Sequence, residues 1–546
     1  MNHDLSEQQS ASPAPSLATA ATNAAPFISL AERIRAHGHA TPDKPAVACD
    51  GRSLTYRRLV DQSEALATRI VASGLTPGGT RRVGILAANS LDVAVILAAC
   101  QLLGATAVPL PTLVTPDAQA RMIRDAQVAL LFCQADRVAN VKSALAALDT
   151  ELDGPIIVLG GHGTDPEATF FQDWLSTEAG AFVRPGVQPD WVSDLIYSSG
   201  TTGIPKGIAQ SFEGRARQCI NLGPFGLDAK ARVLQTVGLS SNFGLSALLA
   251  AWWWGGCCYM MSKFSGEQAV EALKREEINV AWLPPATLIR TMEAVGFEDA
   301  VKARECVKIC AGAPLSANQK QLVVDTWPGP FYEIYGQTET ASVTVLPVHA
   351  VRPDKLGSVG TPLSGVTVRI LDDKGHELEV GEEGEIAAHS TTLMAGYHGQ
   401  NESEPSTFWW DERGRRFVRT GDVGKLDDEG FLWLCDRKKD MIISGGYNVF
   451  PADIEKVLSD HPAIFEVAVI GCPSRRWGET PVAIVTLNSE VTTSAEELRD
   501  WANARLGAIQ RVAAVRVVPE LPSGGMGKIL KRQLRAALID AIGMLP

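Results

Sequence analysis

Positive charge is in short supply in this sequence: 50 Lys and Arg stand against 62 Asp and Glu, giving 546 residues a net charge of −12. Non-specific nucleic-acid affinity comes from clustered Lys and Arg, so no nucleic-acid partner is expected. None of the 10 cysteines forms a C-x-x-C pair, neither Cys257-Cys258 nor Cys306 with Cys310. The usual zinc spacing is therefore missing, and reduced, buried thiols of a cytoplasmic protein are expected instead. The histidines form no H-x-x-x-H pair, which removes the helical metalloprotease cage. Residues 1–26 are rich in Ser, Ala and Pro and lack the cationic start and apolar core of a signal peptide. They read as a disordered arm.

A charge-free run from Val233 to Ser262 has the length of a membrane span. Its Ser-Ser-Asn and Gly-Gly interruptions split it into strand, helix and strand pieces of core size. No membrane span is expected, and the Trp252-Trp253-Trp254 triplet reads as core packing.

The sequence as a whole has the composition of a globular enzyme, with 45% hydrophobic and 21% charged residues. Its length predicts a large body and at least one further domain. From Leu30 onward, helix-like and strand-like segments alternate. A strand at Val83 to Leu86, a helix opening near Asn89-Ser90 and a strand ending near Pro109 form one unit. Further strands at Val128 to Phe132, Ile156 to Leu159, Ile278 to Leu283 and Val307 to Cys310 predict parallel sheets covered by helices. After Gly360, apolar-polar alternation with turn signals predicts a small antiparallel region. The charged run Asp436 to Asp440 then precedes a tail with its own pattern: a helix after Pro451, strands near 467–470 and 482–487, a helix from about Ser494, a strand at Val515 to Val518 and a closing helix.

The stretch "YSSGTTGIPKG", Tyr197 to Gly207, follows a strand. Its glycines let backbone N–H groups approach a polyphosphate, its hydroxyls add donors and Lys206 adds a positive charge. It is an anion cradle but not a Walker A loop, because Gly207 stands where Ser or Thr must follow the lysine. A second stretch, "YEIYGQTET" at Tyr332 to Thr340, sets an aromatic ring, hydroxyls and a carboxylate close together. Tyr335 suits a base, Thr338 a phosphate and Glu339 a Mg²⁺ ion, a hard cation that takes carboxylate and phosphate oxygens.

Together these stretches resemble the adenylate-forming superfamily, in particular its acyl- and aryl-CoA synthetases. "SSGTTGIPKG" is similar to the phosphate loop and "YGQTE" to the adenine and magnesium segment. "VRTGD" (Val418 to Asp422) is similar to the ribose motif, "DRKKDMIISGGYNVFP" to the hinge and pantetheine region, and "LPSGGMGKILKRQLR" to the terminal lysine motif, all in family order.

The resemblance implies an α/β fold: a large N-terminal domain (27–436) of two helix-covered, mostly parallel sheets plus a small β region, and a small mobile α+β C-terminal domain (437–546). It implies an AMP-forming acid:CoA ligase using ATP, Mg²⁺ and coenzyme A, acting as a monomer or homodimer. ATP would be held by Ser198, Ser199, Gly200, Thr201, Thr202, Gly203, Lys206, Gly312, Ala313, Pro314, Ile334, Tyr335, Gly336, Gln337 and Thr338. Glu333 would accept from the adenine amino group, Asp422 would hold the ribose hydroxyls and Arg437 would contact ribose or phosphate. Thr338, Glu339 and Lys528 would be catalytic, with Glu339 on the metal and Lys528 between the attacking carboxylate and the α-phosphate. Coenzyme A would meet Lys439, at the hinge, and Gly445, Gly446 and Tyr447.

One segment departs from the pattern. Where many acyl-CoA ligases carry a histidine bordering the acyl pocket, this chain has "VGLSSNFG", with Ser241 at that place. Either Ser241, Asn242 and Phe243 line the pocket with Ala311 and Gly336, or they cap and pack the next helix. An apolar, fairly open pocket suits an aromatic, arylalkyl or medium-chain acid. A stand-alone enzyme that loads a carrier protein and a luciferase-like oxygenase are the other activities the motifs allow.

Overall fold

The computed structural model describes residues 26–160, 168–176, 181–198, 206–302, 304–313, 315–400, 406–437, 440, 442–444, 447–474, 478–488, 493–507, 510–523 and 529–542. Residues 1–25 of the expected arm lie outside this set.

The strand-helix-strand unit near residue 83 is present. Arg82–Leu86 and Ala107–Pro109 are parallel neighbours, joined through the helix Leu91–Leu103. Ser90 accepts from Val93 N at the helix start, and Gly104 closes the helix at φ 70. The side chain satisfies an orphan N–H, and the glycine takes a left-handed turn that Cβ disfavours.

The charge-free run resolves into the strand Arg232–Gln235, the helix Asn242–Trp254 and the strand Cys257–Met260. Both strands lie inside a nine-stranded sheet, and no described helix is long and apolar enough to cross a membrane. The tryptophans pack as expected: Trp252 Nε1 donates to Ala46 O at 3.2 Å and Trp254 Nε1 to Cys219 O at 2.9 Å.

The nine-stranded sheet is parallel through its middle, from Pro45–Cys49 to Phe331–Gln337, and antiparallel at both edges. An eight-stranded sheet runs from Gly396–Tyr397 through Lys206–Ser211, Val192–Ser198, Ala107–Pro109 and Arg82–Leu86 to Thr169–Phe170. One buried cluster joins both sheets, with Val83, Ile85 and Ile196 from one and Val47, Val233, Val280 and Ile309 from the other. The helices Leu30–Ala40, Tyr56–Ala72, Leu91–Leu103 and Asn242–Trp254 supply much of the rest of that core. Continuous apolar runs suit strands and helices buried on every side.

After Gly360 the expected antiparallel sheet appears, from Thr367–Leu371 to Phe408–Trp410, with Leu432–Arg437 paired on Arg416–Leu426. Arg437 is the last residue of that sheet. A fourth sheet, built from strands between 442 and 517, carries buried clusters of its own.

One detail differs from expectation. The strand after the glycine-rich stretch, Lys206–Ser211, returns antiparallel to Val192–Ser198, so the stretch tips a hairpin inside a largely parallel sheet.

Candidate active site

Residues 199–205, which include Ser199, Gly200, Thr201, Thr202 and Gly203, lie outside the described residues, as does the side chain of Ser198. The strands that carry this loop are well defined, with Ser198 opposite Lys206 and Tyr197 opposite Gly207. Tyr197 Oη donates to Asp125 Oδ2 at 2.5 Å, and burial pushes the phenol well above its ordinary pKa. A Cβ on Gly207 would come within 3.0 Å of the Tyr197 ring and 3.3 Å of His398 Cβ. Close packing thus explains the glycine that follows Lys206.

Gly396–Tyr397 pairs with the same hairpin, Tyr397 opposite Ile208. The Lys206 ammonium stands 4.8 Å from the Tyr397 ring centroid, within cation–π range. On its other side, Tyr397 Oη donates to Glu339 Oε1 at 2.9 Å. Burial first, and the Glu339 charge second, push the phenol up, so it remains the donor. One tyrosine therefore joins the lysine of the cradle to the acidic residue expected on the metal. The sequence reading missed Tyr397, and a lone Tyr in "MAGYHG" carries no periodic or spacing signal that would have found it.

The strand Phe331–Gln337 delivers the second segment. Gly336 sits at a register shift against the strand Ala341–Pro347, and a Cβ there would lie 1.9 Å from Ala341 O. Gln210 Nε2 donates to Thr338 O at 2.7 Å, and Met394 N donates to Glu339 O at 2.9 Å. Thr338 and Glu339 are thus held by the hairpin strand and by the segment before Tyr397. Ile334 turns its side chain into the main core, which leaves only its backbone for a ligand.

Two expected ribose residues are neighbours, since Asp422 pairs with Arg437 across adjacent strands. The Arg437 side chain lies outside the described residues. Asp422 is buried, and its Oδ2 accepts from Tyr335 Oη at 2.8 Å and from Gln337 Nε2 at 2.7 Å. Tyr335, expected beside the base, is therefore anchored through its hydroxyl to the ribose carboxylate. The "YGQTE" and "VRTGD" segments form one network.

Glu333 departs from the expectation of an adenine contact. Its carboxylate is buried and faces Lys320 Nζ at 2.6 Å, and the same ammonium donates to Leu356 O and Ser358 O. Burial raises the Glu333 pKa, and the Lys320 charge opposes that rise. A carboxylate committed to a buried lysine is a structural group, because removing either partner would strand a charge.

On the acyl side, Ser241 is an N-cap: it accepts from Gly244 N at 3.1 Å and donates to Gly238 O at 2.8 Å. Asn242 Oδ1 accepts from Arg215 Nη1 at 2.6 Å. The Phe243 ring lies 5.2 Å from that of Trp282. Capping thus claims Ser241, while Asn242 and Phe243 stand where the strand Arg232–Gln235 gives way to its helix. Ala311 ends the neighbouring strand Val307–Ala311, and Gly312 follows at φ 97 with Ala313 after it. Pro314 lies outside the described residues.

Lys439, Gly445, Gly446 and Lys528 also lie outside, and Tyr447 is described only by its backbone, paired with Ser444. The residues flanking 524–528 are joined, since Ser523 and Ile529 form an antiparallel bridge.

The donor set fits Mg²⁺ bound together with phosphate. Glu339 keeps Oε2 without a hydrogen bond to any described residue, and no group of three or more His, Cys, Asp or Glu among the described residues could cage a metal. A hard cation shared between one carboxylate and a polyphosphate needs no such cage.

The chain matches the AMP-binding enzyme family over residues 34–398 and the AMP-binding enzyme C-terminal domain over residues 453–528. It is 30% identical to a fatty acid–[acyl-carrier-protein] ligase of Streptomyces coeruleorubidus, over 91% of this chain and 94% of that one. It is 30% identical to an indoleacetate–CoA ligase of Aromatoleum aromaticum, over 93% and 98%. The o-succinylbenzoate CoA synthetase of Bacillus subtilis, solved in complex with its acyl-adenylate intermediate, superposes with a TM-score of 0.79 at 26% identity, over 92% and 97%.

Proposed function

The chain belongs to the AMP-binding enzymes, and from that premise we propose that it is an AMP-forming acid:CoA ligase for an aromatic or arylalkyl acid. In the first half-reaction a carboxylate oxygen of the acid attacks the α-phosphorus of ATP. A P–O bond forms, the bond to the β-phosphate breaks, and pyrophosphate leaves. In the second, a thiol attacks the acyl carbon, the thioester forms, and AMP leaves with the former carboxylate oxygen.

The observation that carries this reading is the Lys206–Tyr397–Glu339 contact, which sets a cation over the ring of one tyrosine and a carboxylate on its hydroxyl. Lys206 and the loop before it hold phosphate oxygens. Mg²⁺ bound at Glu339 supplies neutralisation of the triphosphate charge. Asp422, fixed by Tyr335 and Gln337, accepts from the ribose hydroxyls. Lys528 reaches the α-phosphate from the glycine-rich loop, and the tail turns near Lys439 so that Gly445, Gly446 and Tyr447 meet the pantetheine arm.

An aromatic acid is favoured by the Phe243–Trp282 ring pair beside the helix start and by the likeness to an indoleacetate–CoA ligase. A carrier-protein thiol is a second acceptor to test, because one relative acts on an acyl-carrier protein. The test is a panel of carboxylic acids assayed for pyrophosphate release with Mg-ATP, with and without coenzyme A. Thioester and AMP in equal amounts support the reading. Pyrophosphate with no thioester on coenzyme A turns the acceptor to a carrier protein, and no pyrophosphate with any acid overturns the ligase.

A further inference from the structure

We infer that this enzyme selects acids bearing a hydrogen-bond acceptor in the acyl part, and that the amide of Asn242 is the group that reads it. The inference rests on the ligase reading above. It starts from two residues of the hairpin that carries the phosphate loop. Asp194 and Gln210 are directly opposite one another in the register, so their side chains leave the same face of the sheet. Gln210 reaches the carbonyl of Thr338 at 2.7 Å. Asp194 takes Arg215 in a two-pronged pair, Nε to Oδ2 at 2.9 Å and Nη2 to Oδ1 at 2.5 Å, with both side chains 2% exposed. Arg215 then spends Nη1 on Gln218 Oε1 at 2.8 Å and Asn242 Oδ1 at 2.6 Å. Asn242 is thereby linked, through Arg215 and Asp194, to the hairpin whose Gln210 holds the segment of Thr338 and Glu339.

The chemistry of arginine fixes which way the amide faces. A guanidinium has five donors and no acceptor, so the carboxamide must give it the oxygen and turn the NH₂ away. That NH₂ has no acceptor among the described residues. The backbone carbonyl of Asn242 is occupied by Ser246 Oγ at 2.7 Å, and the helix start is already capped by Ser241. Trp282, whose ring contacts Phe243, is 2% exposed, and its Nε1–H is sealed in the core with no partner among the described residues, so it is the Asn242 amide that is open to a ligand.

Asn242 and the ring pair stand at the carboxyl ends of parallel strands, where ligands of α/β sheets gather: Asn242 follows Arg232–Gln235 and Trp282 ends Val280–Trp282. A purely hydrocarbon acyl group would bury the Asn242 donor unpaired. A keto, hydroxyl, ether or second carboxylate oxygen would satisfy it, and sites built to hydrogen-bond a substrate discriminate strongly against analogues that lack the partner. The ring pair accounts for an aromatic or alicyclic portion, and the amide for the oxygen.

The experiment uses the full-length enzyme and matched acids: 4-phenylbutanoate, 4-cyclohexylbutanoate and octanoate, each beside its 4-oxo and 4-hydroxy derivative. The readout is kcat/KM for pyrophosphate release. The expected result is that at least one oxygenated acid exceeds its parent by about tenfold or more. Asn242→Leu is expected to erase that ratio. Asn242→Asp keeps an oxygen for Arg215 but faces the ketone with a second acceptor, so it is expected to bring the keto-to-parent ratio below one, while the hydroxy acid, which can donate, retains its advantage. Melting temperatures confirm that each variant is folded. The proposal is overturned if every oxygenated acid matches its parent in the wild type, or if the keto-to-parent ratio survives in a folded Asn242→Asp protein. Absence of pyrophosphate with every acid is a separate result, which removes the ligase reading and this one with it.

Discussion

At Tyr397 one hydroxyl and one ring face serve two opposite charges. The hydroxyl fixes one oxygen of Glu339 and leaves the other without a hydrogen bond to any described residue, and the ring holds the Lys206 ammonium. A hydrogen bond to a charged group contributes roughly 1.5–3 kcal/mol, part of which water recovers when the group is accessible. Tyr397→Phe keeps the ring and loses the hydroxyl, so Lys206 stays in place while Glu339 is released. Titration calorimetry should show Mg-ATP binding weakened by about fivefold to tenfold at low free Mg²⁺, with the difference shrinking as Mg²⁺ is raised. Equal weakening of ATP binding with and without Mg²⁺ would contradict this role. Lys206 and Glu339 were legible in the sequence because each sits in a local pattern of glycines and hydroxyls. Tyr397 was not, because its link to Glu339 spans 58 residues and exists only through strand pairing. The ion pair of Glu333 was out of reach for the same reason: its partner, Lys320, comes from a helix that the local motif does not include.

Among elements, the strand Phe331–Gln337 has to do two things at once. It continues the parallel sheet beside Val307–Ala311, and it must shift register at Tyr335 and Gly336 so that Thr338 and Glu339 face the hairpin. Glycine allows that shift because any Cβ would lie 1.9 Å from the carbonyl oxygen of Ala341, on backbone that cannot swing aside. Gly336→Ala should therefore cost roughly 1–3 kcal/mol from overpacking, read as a lower urea midpoint, and should reduce pyrophosphate release by more than it reduces stability, since Glu339 moves with the strand. An alanine variant with normal stability and activity would show that the register is set elsewhere. Most strands and helices of the two large sheets were readable because apolar runs and capping residues such as Ser90 are local signals. The hairpin was harder. Only its first strand was read from the sequence, and the short connection of 199–205 is the one local sign that the chain turns straight back.

Nine of the ten cysteines are buried free thiols and Cys435 is half-buried, which makes the stability of the whole molecule sensitive to alkali. Burial pushes Cys49, Cys100, Cys133, Cys219, Cys257, Cys306 and Cys435 up to about 12 from an ordinary 9.0. Unfolded thiols release their protons near pH 9.0 while the folded ones retain them, so stability that is fully present below that pH declines as pH climbs toward 12. Lys308 acts in the opposite sense. Burial lowers it to about 8 from 10.5, so the folded chain sheds that proton first and gains stability between those values. One lysine is outweighed by seven thiols, and the urea midpoint should fall between pH 9 and pH 10.5. A flat or rising midpoint over that range would contradict the burial of these side chains.

At this scale the order of motifs along the chain made the family recognisable. Local text could not give the way Tyr335, Gln337 and Asp422 lock two of those motifs together, because that contact is made across sheets. The central claim is that the carboxylate of the acid attacks the α-phosphorus of ATP, and oxygen tracing tests it most directly. An acid labelled with ¹⁸O in both carboxylate oxygens is turned over with Mg-ATP and coenzyme A, and the products are weighed by mass spectrometry. One ¹⁸O in AMP, with unlabelled pyrophosphate, is the result predicted. Label in pyrophosphate or inorganic phosphate, or unlabelled AMP beside a formed thioester, would contradict it.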